Sequence, residues 1–360
     1  MNGLSVIAHA DAELGVGESS RRLYSLLQAS GLKTSFVPFR ANGSRRQHAT
    51  NYDFSNFATS PTLISAVNPD QLGHLLSEHP EVFKYASNHI GFWAWELPDF
   101  PDTYRPSVDL IDEIWTISDF CKEAISKSSS APVRRVSLPV PLPSQTSELR
   151  KTGGSSANRI FTILVSFDYF SDVRRKNPAA AIASYLKAFS DKDRTRLILK
   201  SINGDKFPFE QASLRELAKN RADIFFQDGY LTANENAALV ASADVYLSLH
   251  RSEGYGINLA DAMARSIAVI ATGYSGNLEF MDDEASILVP FELVPLETYA
   301  GLRVNSQWAE PDCDFVAKTL RSLYENPSRV VEVGQRGRAK IAKEHSLPVL
   351  ASRFRKEFCE

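Results

Sequence analysis

The stretch His250-Arg251-Ser252-Glu253-Gly254-Tyr255-Gly256-Ile257-Asn258-Leu259-Ala260-Asp261 brings two carboxylates and two glycines into one short segment. Carboxylates accept hydrogen bonds from hydroxyl groups and repel phosphate. Gly254 and Gly256 let backbone approach a ligand closely. A helix beginning after Gly256 would aim its first amides and the positive end of its dipole at an anion. A molecule with a diphosphate between two polyhydroxylated rings satisfies both facts, and a nucleotide sugar is such a molecule. Glu253 would then reach the sugar and Asp261 the ribose, while the amides from Gly254 through Tyr255 and Ile257 face the diphosphate. Further positive charge stands in Asp172-Val173-Arg174-Arg175-Lys176-Asn177-Pro178. Cations are disfavoured at a helix start unless an anion is nearby, so this cluster also suits a diphosphate.

These residues need a sheet to position them. Val245–Leu249 reads as a buried parallel strand, Leu259, Ala262 and Met263 as one stripe of a helix, and Ile267–Ala271 as the next strand. In such a unit the loop lies at the carboxyl end of the sheet, where open α/β folds bind ligands. Upstream, Phe161–Ser166, Arg196–Lys200 and Ile224–Phe226 read as strands. A helix with Ala181, Ile182, Tyr185 and Phe189 inward follows the first, and Phe207–Ala218 should be an outer helix. Asp228-Gly229-Tyr230-Leu231-Thr232 leads to a helix capped by Thr232 or Asn234, with Glu235 in its first turn. Gly273-Tyr274-Ser275-Gly276-Asn277 opens another loop toward the same place. Helices are expected near Phe315–Tyr324 and Arg329–Lys343, and Leu347, Leu350, Phe354 and Phe358 have helical spacing.

The first part repeats the pattern. Leu4–Ala8 reads as a strand leading through Gly15 and Gly17 into a helix with Leu23, Leu26 and Leu27 inward and Gly31 beyond its end. The third glycine of a dinucleotide fingerprint would fall at Ser20, so the loop either lines a ligand or is a tight turn. Thr34–Phe39, Leu63–Val67 and Asp112–Ser118 are further strands, with Ser118 or Asp119 capping the helix that follows. Residues from about Arg40 to Ser60 read as a polar loop. His89-Ile90-Gly91-Phe92-Trp93-Ala94-Trp95-Glu96-Leu97-Pro98 combines large aromatics with an acid. Tryptophan faces stack on sugar C–H groups and a carboxylate accepts hydroxyl protons. Alternation assigns one of Phe92 and Trp93 to the core, and Trp95 and Glu96 are the acceptor-side candidates. The prolines of 138–143, then Lys151-Thr152-Gly153-Gly154-Ser155-Ser156, mark a linker. The expected domains are 1–143 with 345–360 and, after a linker at 144–157, 158–344.

The two acids separated by seven residues resemble the signature of the family-4 retaining glycosyltransferases of the GT-B fold, with Asp261 where glutamate is usual. The resemblance implies an α/β fold of two Rossmann-like domains with parallel sheets facing a central cleft. It also implies a C-terminal helix crossing back to the first domain. It implies sugar contact for Glu253, ribose contact for Asp261, and a base held by the Tyr230–Leu231 loop. The Arg175-Lys176-Asn177-Pro178 string resembles the family's phosphate loop, with Lys176 as its lysine. The family's arginine six residues earlier is replaced by Phe170, which leaves Arg175, Arg174 and Lys200 as candidates for the second cation. The Gly15–Gly17 loop resembles the one placed opposite the donor phosphates. A family histidine beside the sugar would fall near His89, although Glu96 is the preferred candidate there. The implied activity is transfer of a hexose, mannose being one candidate, from a nucleotide sugar to a hydroxyl of a saccharide, glycolipid or glycan. The catalytic candidates are Glu253, Lys176 and Glu96, with no metal or other cofactor required.

Composition narrows the field. The 360 residues suffice for two domains, and a net charge of −3 gives no general attraction to nucleic acid. Cys121, Cys313 and Cys359 lack metal-ligand spacing and suit a reducing compartment. The residues after Met1 carry neither a basic region nor a long apolar core, so no signal peptide is expected. No apolar run reaches membrane-spanning length, and a cytoplasmic protein, at most peripheral at the inner membrane face, is the expectation. A sugar-nucleotide epimerase or hydrolase of the same fold, or a non-catalytic nucleotide-sugar-binding subunit, would carry many of the same features.

Overall fold

The computed structural model describes residues 3–40, 45–48, 60–143 and 159–359. The expected linker at 144–157, and most of the polar loop before Ser60, lie outside the described residues. The chain divides into two compact units, Met1–Val140 with Lys343–Glu360, and Pro141–Ala342.

The first unit is built on β1 (Leu4–Ala8), β2 (Thr34–Pro38), β3 (Thr62–Ala66), β4 (Asn88–Trp93), β5 (Glu113–Thr116) and β6 (Val133–Arg135). They form one parallel sheet in the order β2-β1-β3-β4-β5-β6. Every residue of β1 and β3 is buried, as a parallel strand covered on both faces requires. The helix Gly15–Ala29 follows β1 with Leu23, Leu26 and Leu27 inward. Its start packs so tightly on the preceding turn that a Cβ at Gly17 would fall 2.3 Å from the Ala12 carbonyl oxygen. Phe92 and Trp93 are both core residues, where alternation assigns only one of them inward. A strand with helices on both faces buries both sets of side chains, which removes the alternation. Ser118, not Asp119, caps the next helix by accepting the Cys121 amide at 3.1 Å.

The C-terminal helix Leu347–Phe354 packs beside Gly15–Ala29 and belongs to this unit. Phe354 and Phe358 meet Trp115 of β5 at ring-centroid distances of 5.7 and 5.3 Å. Ser30, just past the first helix, donates its hydroxyl to the Ala351 carbonyl at 3.4 Å.

The second unit is built on β7 (Phe161–Asp168), β8 (Thr195–Ile202), β9 (Ile224–Asp228), β10 (Val245–Ser248), β11 (Ala268–Thr272) and β12 (Ile287–Val289). Its parallel order is β12-β11-β10-β7-β8-β9. From β7 the chain builds outward through β8 and β9, then returns to the other side of β7 with β10. The crevice beyond the carboxyl ends of β7 and β10 is therefore the topological switch point, where such sheets bind ligands. Ala181, Ile182, Tyr185 and Phe189 are buried beneath this sheet.

One element departs from the sequence expectation. After β12 the chain forms a long antiparallel hairpin, β13 (Phe291–Tyr299) and β14 (Leu302–Pro311), before the helices Cys313–Glu325 and Pro327–Glu344. Ala300 and Gly301 make its two-residue turn with φ of 49° and 78°. Hairpin turns of this kind need positive φ at both positions, which asparagine and glycine usually supply. Alanine at the first position, and Pro295 within β13, hide the hairpin from pattern reading.

Trp115 and Phe354 are both buried, so Phe354→Ala should strip the C-terminal helix of its main anchor. A loss of about 3–5 kcal/mol is expected. Denaturation followed by tryptophan fluorescence, with Trp93, Trp95 and Trp115 all in the first unit, should show an early transition of that unit, and an unshifted transition would contradict the anchoring role.

Candidate active site

The switch point of the second unit is organised around Glu253, which is only 9% exposed. Its Oε1 accepts from Lys176 Nζ in a short ion pair, and its Oε2 lies 3.2 Å from Arg175 Nη1. Arg175 also donates from Nη1 to the Ser252 carbonyl at 2.9 Å. Burial pushes the Glu253 carboxyl up, but the charges of Lys176, then Arg175, outweigh it and hold the group at about 2. Glu253 is thus an ionised buried carboxylate that persists because two cations surround it.

Local backbone chemistry puts the cations there. Asp172, at φ 59°, caps the short helix Val173–Lys176 by accepting the Arg174 amide at 3.0 Å. Asn177, at φ 50°, ends that turn and caps the helix Pro178–Ala188 through the Ala180 amide at 3.3 Å. Both positions have positive φ, which aspartate and asparagine tolerate better than most residues, and Asn177 is in the left-handed helical region. The chain therefore reverses within five residues and leaves Arg175 and Lys176 facing the loop after β10.

The carboxylate is fixed from its other side. The Glu253 amide donates to Ser275 Oγ at 2.8 Å, and its carbonyl accepts the Gly276 amide at 2.8 Å. A Cβ at Gly276 would lie 2.0 Å from the Gly254 carbonyl oxygen, so only glycine lets the two loops touch. His250, fully buried, is held at Nδ1 by the Ser248 hydroxyl at 3.0 Å and at Nε2 by Asn277 Oδ1 at 3.1 Å. Burial holds its imidazole below the ordinary range, against the opposing charge of Glu253. The resulting neutral ring donates to Asn277 and joins the two loops. Gly256, at φ 92°, opens the helix Ile257–Ala264, whose start has no side-chain cap. Asp261 is half-buried on that helix, in its second turn.

The remaining candidates fall elsewhere. Lys200 is buried and donates to the backbone carbonyls of Ser201, at 2.7 Å, and Gly229. Burial lowers its ammonium, with Asp228 opposing. Two of its three donors thus knit β8 to the Gly229–Tyr230 turn, which argues for a structural role beside the half-buried Tyr230 and Leu231. Arg174 turns away to Asp172 and to the Thr298 carbonyl. Arg175 is the second cation at Glu253. Phe170 is 65% exposed in the turn after β7.

Within the first unit, Trp95 is no sugar platform. Its indole is buried, donates to the Asp99 carbonyl at 2.8 Å and packs against Phe100 and Tyr104. Cys121 ties the same turn down through the Trp95 carbonyl at 3.0 Å, and burial pushes its thiol to about 11. Glu96 is half-buried in that turn. His89 lies at the amino end of β4, opposite the ligand-binding edge, with its amide on Asp112 and its ring against Phe83. Gly15 has open space around its Cα, while Gly17 is explained by packing. Sequence reading missed His9. It sits at this unit's own switch point, after β1, with Nε2 2.6 Å from Gln71 Oε1 and Nδ1 3.1 Å from the Phe39 carbonyl. A histidine directly after a buried parallel strand was the available signal.

Known proteins resemble this chain in fold and over one segment. Residues 172–292 match the family model of glycosyl transferases group 1, and curated proteins give no match. The sucrose-phosphate synthase of Thermosynechococcus elongatus superimposes at TM-score 0.67 and 14% identity, over 100% of this chain and 98% of that one. HepE of Anabaena, solved with UDP and glucose, gives 0.66 and 11% over 100% of both chains. TarM of S. aureus gives 0.57 and 13%, with 82% of this chain covering only 54% of that one. The chain has the α/β fold of the GT-B glycosyltransferases. The segment that matches the group 1 family model contains Glu253, Arg175 and Lys176.

A carboxyl held at about 2 stabilises the fold fully above its ordinary value of 4.5, and that contribution is lost as pH falls through about 2. Wild type should therefore exceed Glu253→Gln in stability near neutrality and lose this advantage below 4.5. Urea denaturation of both proteins across that window tests it, and a gap that does not narrow would show that the cations do not hold the carboxylate ionised.

Proposed function

We propose that the protein is a retaining glycosyltransferase that moves a hexose from a nucleotide-sugar donor to a hydroxyl of a saccharide, glycolipid or glycan. The observation that carries this reading is the buried Glu253 carboxylate held by Lys176 and Arg175 at the switch point. The group offers cations for a diphosphate and an acceptor for sugar hydroxyls within one contact. When the donor binds, Lys176 exchanges Glu253 for a phosphate oxygen, and Glu253 accepts from the sugar. Asp261 accepts from the ribose, and the Tyr230–Leu231 turn borders the base. The match of residues 172–292 to the group 1 family supports the same reading. HepE was solved in complex with UDP and glucose, which makes uridine donors the first to test here, with mannose donors next.

In the transfer, the acceptor oxygen bonds to the anomeric carbon on the face from which the diphosphate leaves. The carbon–phosphate-oxygen bond breaks, and a leaving phosphate oxygen takes the acceptor proton. Lys176, Arg175 and the amides from Gly254 to Ile257 stabilise the growing negative charge. This reading assigns no covalent nucleophile and no metal. Glu96 stays as an acceptor-side residue, without Trp95. No described helix is long and apolar enough to cross a membrane. A cytoplasmic site of action, at or near the inner membrane face, completes the proposal.

A thermal-shift panel of UDP, GDP, ADP and their sugars should identify the donor, because a ligand stabilises the state it binds. Lys176→Ala should weaken the binding by about 1.5–3 kcal/mol, the value of a hydrogen bond to a charged group. Glu253→Gln should weaken the nucleotide sugar without weakening the free nucleoside diphosphate, whereas Asp261→Asn should weaken both alike. The reverse pattern would invert the assigned orientation. Release of free sugar or an epimer without any transfer to acceptors would replace the transferase reading.

A further inference from the structure

The Phe291–Pro311 hairpin reaches beyond the segment shared with the group 1 family, which ends at residue 292. A two-stranded hairpin has little stability of its own in water. This one is tied down by contacts to the loops that carry the anion-binding residues. Arg251, two residues before Glu253, is the main link. Its amide donates to the Arg175 carbonyl at 2.7 Å, and its own carbonyl accepts the Ala309 amide at 2.9 Å. Its guanidinium donates to the Arg174 carbonyl at 2.7 Å and pairs with Glu310 at 2.6 Å. The guanidinium carbons of Arg251 and Arg174 lie 5.3 and 5.7 Å from the ring centroid of Trp308, which is 5% exposed. Arg174 also donates to the Thr298 carbonyl across the hairpin, at 3.2 Å. Phe291 packs on Tyr274, next to the Ser275 hydroxyl that holds the Glu253 amide.

We infer that this hairpin is a brace for the anion-binding pair, with Arg251 and Trp308 as positioning residues that fix the backbone of Arg174–Lys176 against that of Ser252–Glu253. Neither residue contributes the atom that meets the ligand. Trp308 offers an aromatic surface to two guanidinium groups, which favours cations close to the ring. Arg251 spends its fork on two different segments, the Arg174 backbone and Glu310, so its loss would free both loops at once. Small displacements at such a pair matter, because a shift of about 1 Å in a binding group costs up to about a hundredfold in rate. The inference rests on the proposed function for what the pair binds, but the geometry of the brace stands without it.

The test is Trp308→Ala and Trp308→Phe, read by the titration of Glu253 in carboxyl-carbon NMR and by calorimetric affinity for UDP, GDP and ADP. The Glu253 resonance is assigned by its disappearance in Glu253→Gln. In folded Trp308→Ala, Glu253 should titrate above its wild-type value, and the nucleotide that wild type prefers should bind about tenfold weaker or worse. Trp308→Phe should restore most of both. An unchanged Glu253 titration in folded Trp308→Ala would overturn the brace. If Trp308→Ala does not fold, Glu310→Gln decides the matter: its side chain is partly exposed, and it should move the titration the same way or overturn the inference. The titration is blind to nucleotide, so wild type binding none of the three would strike the proposed function and leave the brace tested.

Discussion

A carboxylate removed from water survives as an anion only where nearby charge outweighs its lost solvation. Glu253 meets that condition through Lys176 and Arg175, and much of the second unit serves to keep these three groups together. Strand order brings the ends of β7 and β10 side by side. The positive-φ turns at Asp172 and Asn177 bend the cationic segment back toward the sheet. Gly276 lets its loop lie against Gly254, and neutral His250 pins the two loops through Asn277. In the proposed function, the stabilising and the binding roles of the cluster share the same charges. An arriving diphosphate, in the proposed function, would compete with Glu253 for Lys176, so the site would release one interaction as it gained another.

Such an arrangement fits a site that must accept and release a highly charged ligand repeatedly. Preformed cations lower the reorganisation needed on binding, and the internal carboxylate keeps buried Arg175 and half-buried Lys176 from facing each other unscreened. Arg175 remains anchored to the Ser252 carbonyl as well, which leaves Lys176, with its single flexible ammonium, as the partner better able to switch.

Much of the scaffold was legible in the sequence because parallel strands covered on both faces read as continuous apolar runs. β1, β3, β7 and β10 are of this kind, and the caps at Ser118 and Thr232 carry polar side chains suited to capping. Glu253 and Lys176 each stood out by residue type and setting. Their mutual bond did not, since it joins residues 77 apart in sequence and depends on strand order. Side-chain direction was the weakest part. Trp95 beside Glu96 has the composition of a sugar platform, yet Phe100, Tyr104 and the Asp99 carbonyl draw the indole inward. Lys200 was singled out for its charge, but strand geometry commits it to carbonyls of its own sheet. The hairpin was hidden by Pro295 and by an alanine in its turn, and His9 by having no neighbouring motif.

The C-terminal helix has a consequence for modular exchange. Residues 343–359 add hydrophobic cover to the unit that holds β1, placing Phe354 and Phe358 on Trp115. The first unit is thus discontinuous in the gene, with the whole second unit spliced into it as an insert. A chimera made by a single crossover near residue 140 would join an amino-terminal half to a foreign closing helix, and mismatched packing at Trp115 would follow. Recombination that preserves the fold must instead use two junctions and carry both ends of the chain together, so the inserted unit is the portable one.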